Sequence, residues 1–350
     1  MKIAIDISPL QTGHKVRGAG FYLENLKTAL VKYYSQNEYK FFTRGEKLPE
    51  DVDLVHFPYF EPFFLALPIY KKYLTVVTVH DLTPIVFKKH FPRGLKGELK
   101  WQMQRYALKK ADAIITDSNC SKRDIVKRVG VPAERVSVIY LSAGEEFKVI
   151  HSSESAVQDL REKYNLPEKF VLYVGDVTWN KNLPRLIEAV KSIGVPLVMV
   201  GKALVSEDFD KNNPWNKDLV KVQDLAKNDK NIIRLGFIPT QDLIAIYNVA
   251  TVFVMPSLYE GFGLPILEAM SCGCPVITAK EGSLEEVAGE AALYVDAYSK
   301  ESIAKGIKEV FENPILQKKL LQEGLKRVNE FSWKKTAAET LEVYKKVTEL

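Results

Sequence analysis

Cysteine is scarce in this chain, and long uncharged apolar runs are absent from it. Three cysteines among 350 residues cannot build a disulfide framework, so we expect a reducing compartment. The most apolar stretch, residues 57–70, includes Glu61 and three prolines, whereas a membrane-spanning helix needs about 20 apolar residues. Residues 1–6 lack the apolar core of an export signal. We therefore expect a cytoplasmic protein that does not span a membrane.

The composition is that of an ordinary globular protein, with 46% hydrophobic and 27% charged residues. Collagen-like, disordered and disulfide-stabilised classes are excluded, and the length predicts two domains. The net charge is +5, and the basic excess lies within residues 1–165. Either an anionic partner or a solvated lysine-rich face explains that excess. No nucleic-acid-binding motif accompanies it, so no nucleic-acid partner is expected.

Short runs rich in valine and isoleucine alternate with segments of helical periodicity. The predicted strands are 3–7, 54–57, 75–80, 113–118, 136–140, 170–175, 196–201, 232–236, 251–257, 275–279 and 291–296. Helical periodicity is found in 182–193, 241–248, 299–312 and 334–350. Most of the strand runs are apolar without alternation, which is typical of parallel strands buried on both faces.

This alternation predicts an α/β fold built of two doubly wound, Rossmann-like domains that face each other. The polar residues 151–155 separate the two sets of strands. We predict an N-terminal, acceptor-side domain over 1–150 and a second domain over 151–331. The last helix, 332–350, is expected to pack back onto the first domain. Doubly wound sheets bind ligands at the carboxyl ends of their strands, which places the ligand in the cleft between the domains.

Residues 256–270, PSLYEGFGLPILEAM, carry the most informative motif. A buried strand ends here, and a turn with two glycines leads into a helix whose first turn contains Pro265. The amides of Phe262, Gly263 and Leu264 would form an anion site at the helix N-terminus. Glu268 follows Leu264 by one helical turn. The same pattern also fits a plain strand-turn-helix in which Glu260 and Glu268 lie on the surface.

At these residues the sequence resembles glycosyltransferase family 4, a retaining family with the GT-B fold. The resemblance rests first on the two glutamates around Gly-Phe-Gly-Leu-Pro and on the following Cys-Gly-Cys-Pro-Val-Ile. It extends to residues 17–22, 79–82, 116–121, 138–140, 173–183, 282–289 and 331–333. It therefore covers nearly the whole chain.

The resemblance implies a role for each matching position. Three residues are implied in catalysis: His80 near the reacting carbon, Lys181 on the diphosphate and Glu260 on the transferred sugar. Glu268 is implied in binding the donor ribose, and the amides of Phe262, Gly263 and Leu264 line the sugar and phosphates. Gly18 and Gly20 are implied in a loop that closes over the diphosphate. Phe237 and Ile238 fall where the family contacts the nucleobase.

The phosphate turn departs from the family pattern at one position. Asn180 stands where an arginine is common, although its position still assigns it to donor binding. A second cation must then come from elsewhere, from Lys202 after Gly201 or from Arg17; otherwise we expect a weaker affinity for the donor.

Two further patterns look like metal sites. Asp208 and Asp210 have the spacing of a metal-binding pair, but their polar, Asn-rich surroundings favour a solvated loop. Cys272 and Cys274 lack further cysteines or histidines nearby, which favours two small residues at a tight turn.

The resemblance implies that no metal or other cofactor is needed. A lysine and a helix N-terminus can stabilise the leaving diphosphate on their own.

A basic segment follows in residues 87–110. Its cations are Lys88, Lys89, Arg93, Lys96, Lys100, Arg105, Lys109 and Lys110, with Glu98 as the only acidic residue. Leu95, Leu99, Trp101 and Tyr106 are interleaved with them. This composition fits either a helix on an anionic membrane surface, with residues 57–70 as a second contact, or a helix with one solvated lysine face.

Together these features predict a retaining transferase that moves a hexose from a nucleotide sugar. The hexose is mannose or glucose, the donor is a GDP- or UDP-hexose, and the acceptor is a glycan or a lipid-linked glycan. The enzyme is expected in the cytoplasm, with peripheral attachment to the inner face of the membrane as an open possibility. Two alternatives remain: a nucleotide-sugar epimerase on the same fold and a non-catalytic nucleotide-sugar-binding module.

Overall fold

The computed structural model describes residues 1–12, 18–48 and 50–349. The chain divides into two compact units, each with one six-stranded sheet. Unit 1 comprises Met1–Ser142 and the chain from Phe331 onward, and unit 2 comprises Ala143–Glu330. The division precedes residue 150 because Asn248 of unit 2 bonds the backbone of Lys148 and Ile150.

The strands of unit 1 are all parallel. They are β1 (Lys2–Asp6), β2 (Glu38–Phe42), β3 (Leu54–Phe57), β4 (Leu74–Thr78), β5 (Ala113–Thr116) and β6 (Val136–Val138). The helices are α1 (Gly18–Tyr33), α2 (Thr83–Val86), α3 (Gly94–Lys109), α4 (Asn119–Val129) and α13 (Trp333–Thr348). The strand order is β2-β1-β3-β4-β5-β6. Strands β3 and β5 are buried along their whole length, as expected of strands covered on both faces.

The last helix belongs to unit 1 by its contacts. Ser332 caps its N-terminus by accepting from the amide of Lys335. The Thr336 hydroxyl donates to the carbonyl of Tyr140 at 2.7 Å. The buried Tyr344 hydroxyl lies 2.7 Å from Nδ1 of His56 on β3. These bonds satisfy buried polar groups that would otherwise be costly, so α13 completes the core of this unit.

The strands of unit 2 are β7 (Val171–Val174), β8 (Leu197–Val200), β9 (Ile232–Leu235), β10 (Val252–Met255), β11 (Val276–Thr278) and β12 (Leu293–Tyr294). Its helices are α5 (Glu154–Tyr164), α6 (Leu183–Ile193), α7 (Lys217–Ala226), α8 (Thr240–Val249), α9 (Leu264–Ser271), α10 (Leu284–Ala288), α11 (Lys300–Glu312) and α12 (Pro314–Arg327). All pairings are again parallel, in the order β12-β11-β10-β7-β8-β9.

The strand order of unit 2 has a switch point between β7 and β10. From β7 the chain winds outward through β8 and β9, then returns to the other side of β7 with β10. Connections on the two sides diverge at that point, which leaves a crevice at the carboxyl ends of the strands. The loops that follow β7 and β10 therefore form the expected ligand site of this sheet.

The apolar runs predicted all the strands of the two sheets except one. Strand β2 has a burial pattern that alternates along an edge of the sheet, with Glu38 and Lys40 exposed. It lacks a continuous apolar run, which is why the sequence pattern did not reveal it. Among the described residues, every helix is too short or too polar to cross a bilayer.

Candidate functional site

Two loops meet at the switch point of unit 2. After β7, the chain forms a single 3₁₀ turn at Trp179–Lys181 and enters α6. After β10, residues 256–263 lead into α9, which begins at Leu264. The amide of Leu258 donates to the carbonyl of Asn180 at 2.7 Å, so the backbones of the two loops are joined.

Lys181 and Glu260 form a close ion pair across these loops. The Lys181 ammonium lies 2.9 Å and 2.8 Å from the two carboxylate oxygens of Glu260. The Glu260 side chain is 8% exposed and that of Lys181 is 20% exposed. A buried carboxylate needs such a partner, because an uncompensated charge in this position is costly. The structure thus brings together two of the three predicted catalytic residues.

The turn that carries Glu260 is held from its far side by Gly282 and Ser283. The buried Ser283 hydroxyl lies within hydrogen-bonding distance of the carbonyls of Glu260 (3.0 Å) and Phe262 (2.8 Å). Gly282 has a φ of +65°, and a Cβ there would lie 2.7 Å from the backbone N and O of Glu260. Only glycine fits this approach without strain. The backbone of Glu260 is therefore fixed by packing as well as by hydrogen bonds.

Asn180 and Asn182 join the same loops through their side chains. The Asn180 amide donates to the carbonyl of Tyr259 at 2.9 Å and accepts from Thr178 at 2.8 Å. Asn182 donates to the carbonyls of Pro256 and Ala297. Both polar atoms of Asn180 are therefore used within the protein, and the structure gives it a role in holding the loops. Sequence reasoning did not single out Asn182; its position directly after Lys181 was the available signal.

The N-terminus of α9 follows the ion pair closely, because the helix begins at Leu264, shortly after Glu260. Gly263 precedes the helix with a φ of +103°, Pro265 lies in the first turn, and the amide of Ile266 donates to the carbonyl of Gly263. Phe262 and Gly263 are buried, and Leu264 is partly exposed. The amides of a first helical turn lack partners within the helix and favour an anion. This end of α9 is suited to a phosphate or a sugar hydroxyl.

Glu268 lies one turn into α9 and is 8% exposed. The hydroxyl of Tyr247, which is fully buried on α8, donates to Glu268 Oε2 at 2.9 Å. Burial raises the pKa of Glu268 to about 7, Glu146 adds to the rise, and the Tyr247 hydrogen bond opposes it. A carboxyl group kept in a desolvated position is a feature of functional sites. Sequence reasoning missed Tyr247, because a tyrosine on an apolar helix face is indistinguishable from a core residue.

The loops after β8 and β9 carry the remaining predicted donor residues. A Cβ at Gly201 would lie 2.1 Å from the carbonyl oxygen of Gly175, so the turns after β7 and β8 are in contact. Lys202 follows Gly201 and is exposed, with no ionic partner recorded among the described residues. Phe237 is 67% exposed and Ile238 is 7% exposed. The Phe237 side chain is therefore accessible to solvent, whereas the Ile238 side chain packs in the protein.

In unit 1, His80 lies just after β4, at the carboxyl edge of the sheet. Its Nδ1 is 2.7 Å from Oδ2 of the buried Asp117, which follows the neighbouring strand β5. Burial opposes a positive charge on the ring, but the Asp117 carboxylate and its hydrogen bond outweigh this and raise the pKa of His80. His80 Nε2 makes no well-formed hydrogen bond within the described chain, although the Pro58 backbone lies near enough to favour the charged ring.

The predicted glycine loop is corrected by the structure. Gly18 and Gly20 lie in the first turn of α1 rather than in a loop, and Gly20 is buried. The buried face of the helix includes Gly20, Tyr22 and Leu23. Arg17, one of the two suggested second cations, lies outside the described residues.

Most of the basic segment forms helix α3 (Gly94–Lys109), whose apolar side chains are divided between core and surface. Leu95, Leu99 and Tyr106 are 91%, 64% and 52% exposed. Trp101 is only 4% exposed and belongs to the core, so it does not contribute to the exposed surface of the helix. Spacing could not reveal this, because Trp101 and Tyr106 lie five positions apart on a helix.

The loop between β3 and β4 adds to the same surface. Gln104 of α3 accepts from the amides of Ala66 and Leu67, which fixes the loop against the helix. Phe64 and Leu65 at the tip of this loop are more than half exposed, and the Lys100 ammonium lies 5.5 Å from the Phe64 ring centre. We refer to Phe64, Leu65, Leu95, Lys96, Leu99 and Lys100 as the apolar-basic patch.

No group of three or more metal-ligating side chains is found in the part of the chain that the structure describes. Asp208 and Asp210 are exposed in a loop, and Asp210 caps the local backbone by accepting from the amide of Asn212. The two cysteines flank the turn between α9 and β11 and are buried and free. Both observations agree with the interpretation drawn from their sequence surroundings.

Two family models match this chain and together cover most of it. The model described as "Glycosyltransferase Family 4" matches residues 16–142. The model described as "Glycosyl transferases group 1" matches residues 156–327.

Curated relatives include two mannosyltransferases from Escherichia coli. The serotype-specific mannosyltransferase WbdA is 30% identical over 270 residues, which make up 75% of this chain but 32% of WbdA. This chain therefore spans about a third of the length of WbdA. O-antigen chain mannosyltransferase B is 29% identical over 278 residues, covering 77% of this chain and 70% of that protein.

Solved structures with the same fold include HepE from Anabaena in complex with UDP-glucose. It is 20% identical in sequence, superposes with a TM-score of 0.72, and the match covers 98% of this chain and 99% of HepE. At this level of identity the likeness establishes the GT-B architecture.

Proposed function

The chain belongs to glycosyltransferase family 4, and from that premise we propose that it is a retaining hexosyltransferase. The enzyme moves a mannosyl or glucosyl group from a nucleoside diphosphate sugar to a glycan or a lipid-linked glycan. The relatives named as mannosyltransferases favour mannose. HepE, crystallised with UDP-glucose, supports a nucleotide-sugar donor. Both GDP and UDP remain candidate carriers.

One observation carries this proposal: the Lys181–Glu260 pair lies at the switch point of unit 2, with Glu260 in the turn that leads into α9, and Glu268 is buried one turn into that helix. A cation and helix amides can bind the diphosphate of a nucleotide sugar, and two carboxylates can bind the hydroxyls of its sugar and ribose. A nucleotide-sugar epimerase also needs groups that remove and replace a carbon-bound proton. The comparisons favour transfer over epimerisation.

In the proposed mechanism, the second unit stabilises the leaving diphosphate. Bond cleavage leaves additional negative charge on the diphosphate. Lys181 and the amides of Phe262, Gly263 and Leu264 stabilise that charge more strongly in the transition state than in the ground state. Lys202, which is exposed and follows the turn in contact with Gly175, supplies the second cation. No metal ion is needed for this step.

The remaining residues orient the donor. Glu268 accepts hydrogen bonds from the ribose hydroxyls, and Glu260 accepts from hydroxyls of the transferred sugar. The exposed ring of Phe237 and the backbone of Ile238 contact the nucleobase. Lys181 and Glu260 are paired with each other before the donor binds. When it binds, Lys181 must also contact the diphosphate and Glu260 must also contact the sugar. His80 acts on the transferred sugar near the reacting carbon.

Transfer is tested with a panel of GDP- and UDP-linked mannose and glucose, with donor turnover as the readout. Glu260→Gln should lower kcat about 10- to 1,000-fold, because a transition-state contact of a charged group is lost. Its affinity for the free nucleoside diphosphate, measured by calorimetry, should stay within about threefold.

The matched control is Glu285→Gln, an exposed residue on α10 whose partner is Lys280. This variant should retain wild-type turnover. A chain that binds a nucleoside diphosphate but turns over none of the sugars would be a binding module, and the proposed transfer would be wrong.

We further propose that unit 1 attaches to an anionic membrane surface through the apolar-basic patch. Leucine and phenylalanine side chains exposed beside lysines have the composition of interfacial segments. Lysines near an anionic surface each contribute about 1 kcal/mol. A lipid-linked acceptor would then be presented at the surface to which the enzyme is bound.

A further inference from the structure

The segment Thr116-Asp117-Ser118 has no part in the function described above, although it follows β5 next to His80. Strands β4 and β5 pair so that Thr78 lies opposite Ile115. His80 and Asp117 are each two residues beyond this pair, which places them side by side at the carboxyl edge of the sheet. The amide of Val79 and the hydroxyl of Thr116 bond across the strands at 2.9 Å and 2.7 Å and fix that register.

Asp117 is 2% exposed, and its carboxylate does not cap the helix that follows it. Ser118, rather than Asp117, caps helix α4 by accepting from the amide of Ser121 at 3.0 Å. Asp117 Oδ2 is bonded to His80, and Oδ1 has no hydrogen-bond partner in the described chain. A buried carboxylate with an unsatisfied oxygen is costly to stability. Such a cost is commonly retained where the group serves a function.

We propose that Asp117 is a positioning residue for His80, whose ring it holds in place in the Nδ1–H form. An ionised carboxylate only accepts hydrogen bonds, so the proton between the two side chains belongs to Nδ1. The ring plane is held further by Tyr22, which packs edge-on at 4.7 Å between ring centres. This inference rests on the proposed hexosyl transfer, in which His80 is assigned a role at the transferred sugar.

The charged and titratable groups that face His80 come from several elements. Asp117 and Asp81 favour its protonation. His56 on β3 interacts with it electrostatically but is held neutral by burial, which lowers the His56 pKa to about 3. Tyr22 and Tyr59 pack against the ring, and Tyr22 is tied by its hydroxyl to Thr78 at 3.0 Å. Asp117 is therefore the acidic group in direct contact with the imidazole.

The test compares Asp117→Asn with the wild type in the full chain. Asparagine can still accept from Nδ1 but carries no charge, so the imidazole keeps a partner and loses its counter-charge. We expect kcat for donor turnover to fall about 10- to 100-fold, as for other small displacements of catalytic groups. The KM for the donor and the affinity for the free nucleoside diphosphate should change less than twofold. The control Ser118→Ala loses the α4 cap and some stability but should retain kcat.

The second readout is nitrogen NMR of histidine-labelled protein, with the His80 signal assigned from His80→Gln. The chain has five histidines, so the signals are few. In the wild type we expect His80 to carry its proton on Nδ1 in the neutral form. In Asp117→Asn the titration of His80 should move to lower pH, because burial then opposes the charge without compensation.

The outcomes separate this inference from the function on which it rests. Wild-type kcat and an unmoved His80 titration in Asp117→Asn would overturn it while leaving hexosyl transfer intact. If no donor is turned over, the transfer proposal fails, and the NMR readout on the wild type still decides the Nδ1 assignment. A neutral His80 with its proton on Nε2 would overturn the inference even if the variant did not fold.

Discussion

Three ionisable residues predicted to act on the donor, two in unit 2 and one in unit 1, are each buried beside a partner of a different kind. Glu260 is compensated by a full ion pair, His80 by a carboxylate, and Glu268 by a single tyrosine hydroxyl. Burial raises the pKa of Glu268 to about 7. Glu268 is thus the residue at which the demands of ligand binding and of folding oppose each other most clearly.

Glu268→Gln should weaken binding of the nucleoside diphosphate and stabilise the fold above pH 7. The loss of binding should be about 1–3 kcal/mol, the scale of hydrogen bonds to a charged group. Between the ordinary pKa of 4.5 and the raised value of about 7, the unfolded chain ionises while the folded chain stays protonated. The wild type therefore loses stability as pH rises through this window, by up to about 3 kcal/mol, and the variant does not.

Calorimetry and thermal unfolding between pH 4 and pH 9 measure both effects. Wild-type nucleotide affinity should also decline below pH 7, because the ribose is bound by the carboxylate. Glu309→Gln, at an exposed position on α11, should leave both quantities unchanged. Equal nucleotide affinity in Glu268→Gln and wild type would remove Glu268 from the ribose site.

At the scale of elements, the sequence predicted what depends on local patterns. The strand–turn–helix from β10 to α9 was located correctly because apolar residues, two glycines and a proline mark each of its parts. The contacts of Ser283 with the Glu260 turn and of Tyr247 with Glu268 were not predicted. They join segments more than 20 positions apart in sequence, and no local pattern encodes such a distance. Edge strand β2 was missed because half of its side chains face water.

Gly282→Ala should impair transfer without abolishing nucleotide binding. Its Cβ would meet the backbone of Glu260, and its φ of +65° is unfavourable for alanine, so Glu260 must shift. We expect kcat to fall about 10- to 100-fold and the free energy of unfolding to fall by about 1–3 kcal/mol. Gly194→Ala is a matched control, because it has a φ of +68° but open space around its Cβ. Equal kcat in both variants would contradict the role of Gly282 in placing Glu260.

Helix α3 is the element through which membrane attachment is tested. The wild type should sediment with anionic vesicles at low salt and be released at high salt, because screening weakens surface charge interactions. Reversing Lys96, Lys100 and Lys109 to Glu should abolish sedimentation and leave nucleotide affinity unchanged. The control reverses Lys305, Lys318 and Lys319, which are exposed on α11 and α12. If the wild type fails to sediment even at low salt, α3 is a solvated face and a soluble acceptor is favoured.

At the scale of the whole molecule, composition and alternation predicted two parallel α/β sheets, and the structure has them. The order of the strands within each sheet could not be predicted, because pairing depends on contacts between distant segments. The switch point between β7 and β10 follows from that order. It explains why the phosphate turn and the Glu260 turn form one site, although Lys181 and Glu260 are 79 positions apart in sequence.

The central claim is that this site transfers a hexose with retention of configuration and without a metal ion. The most direct test is proton NMR of the reaction products formed from the preferred α-linked nucleotide sugar in the presence of excess EDTA. We expect an α-linked product at a rate close to that without EDTA. A β-linked product would contradict the retaining mechanism. Loss of transfer that is restored by added Mg²⁺ or Mn²⁺ would contradict the metal-independent role proposed for Lys181 and the N-terminus of α9.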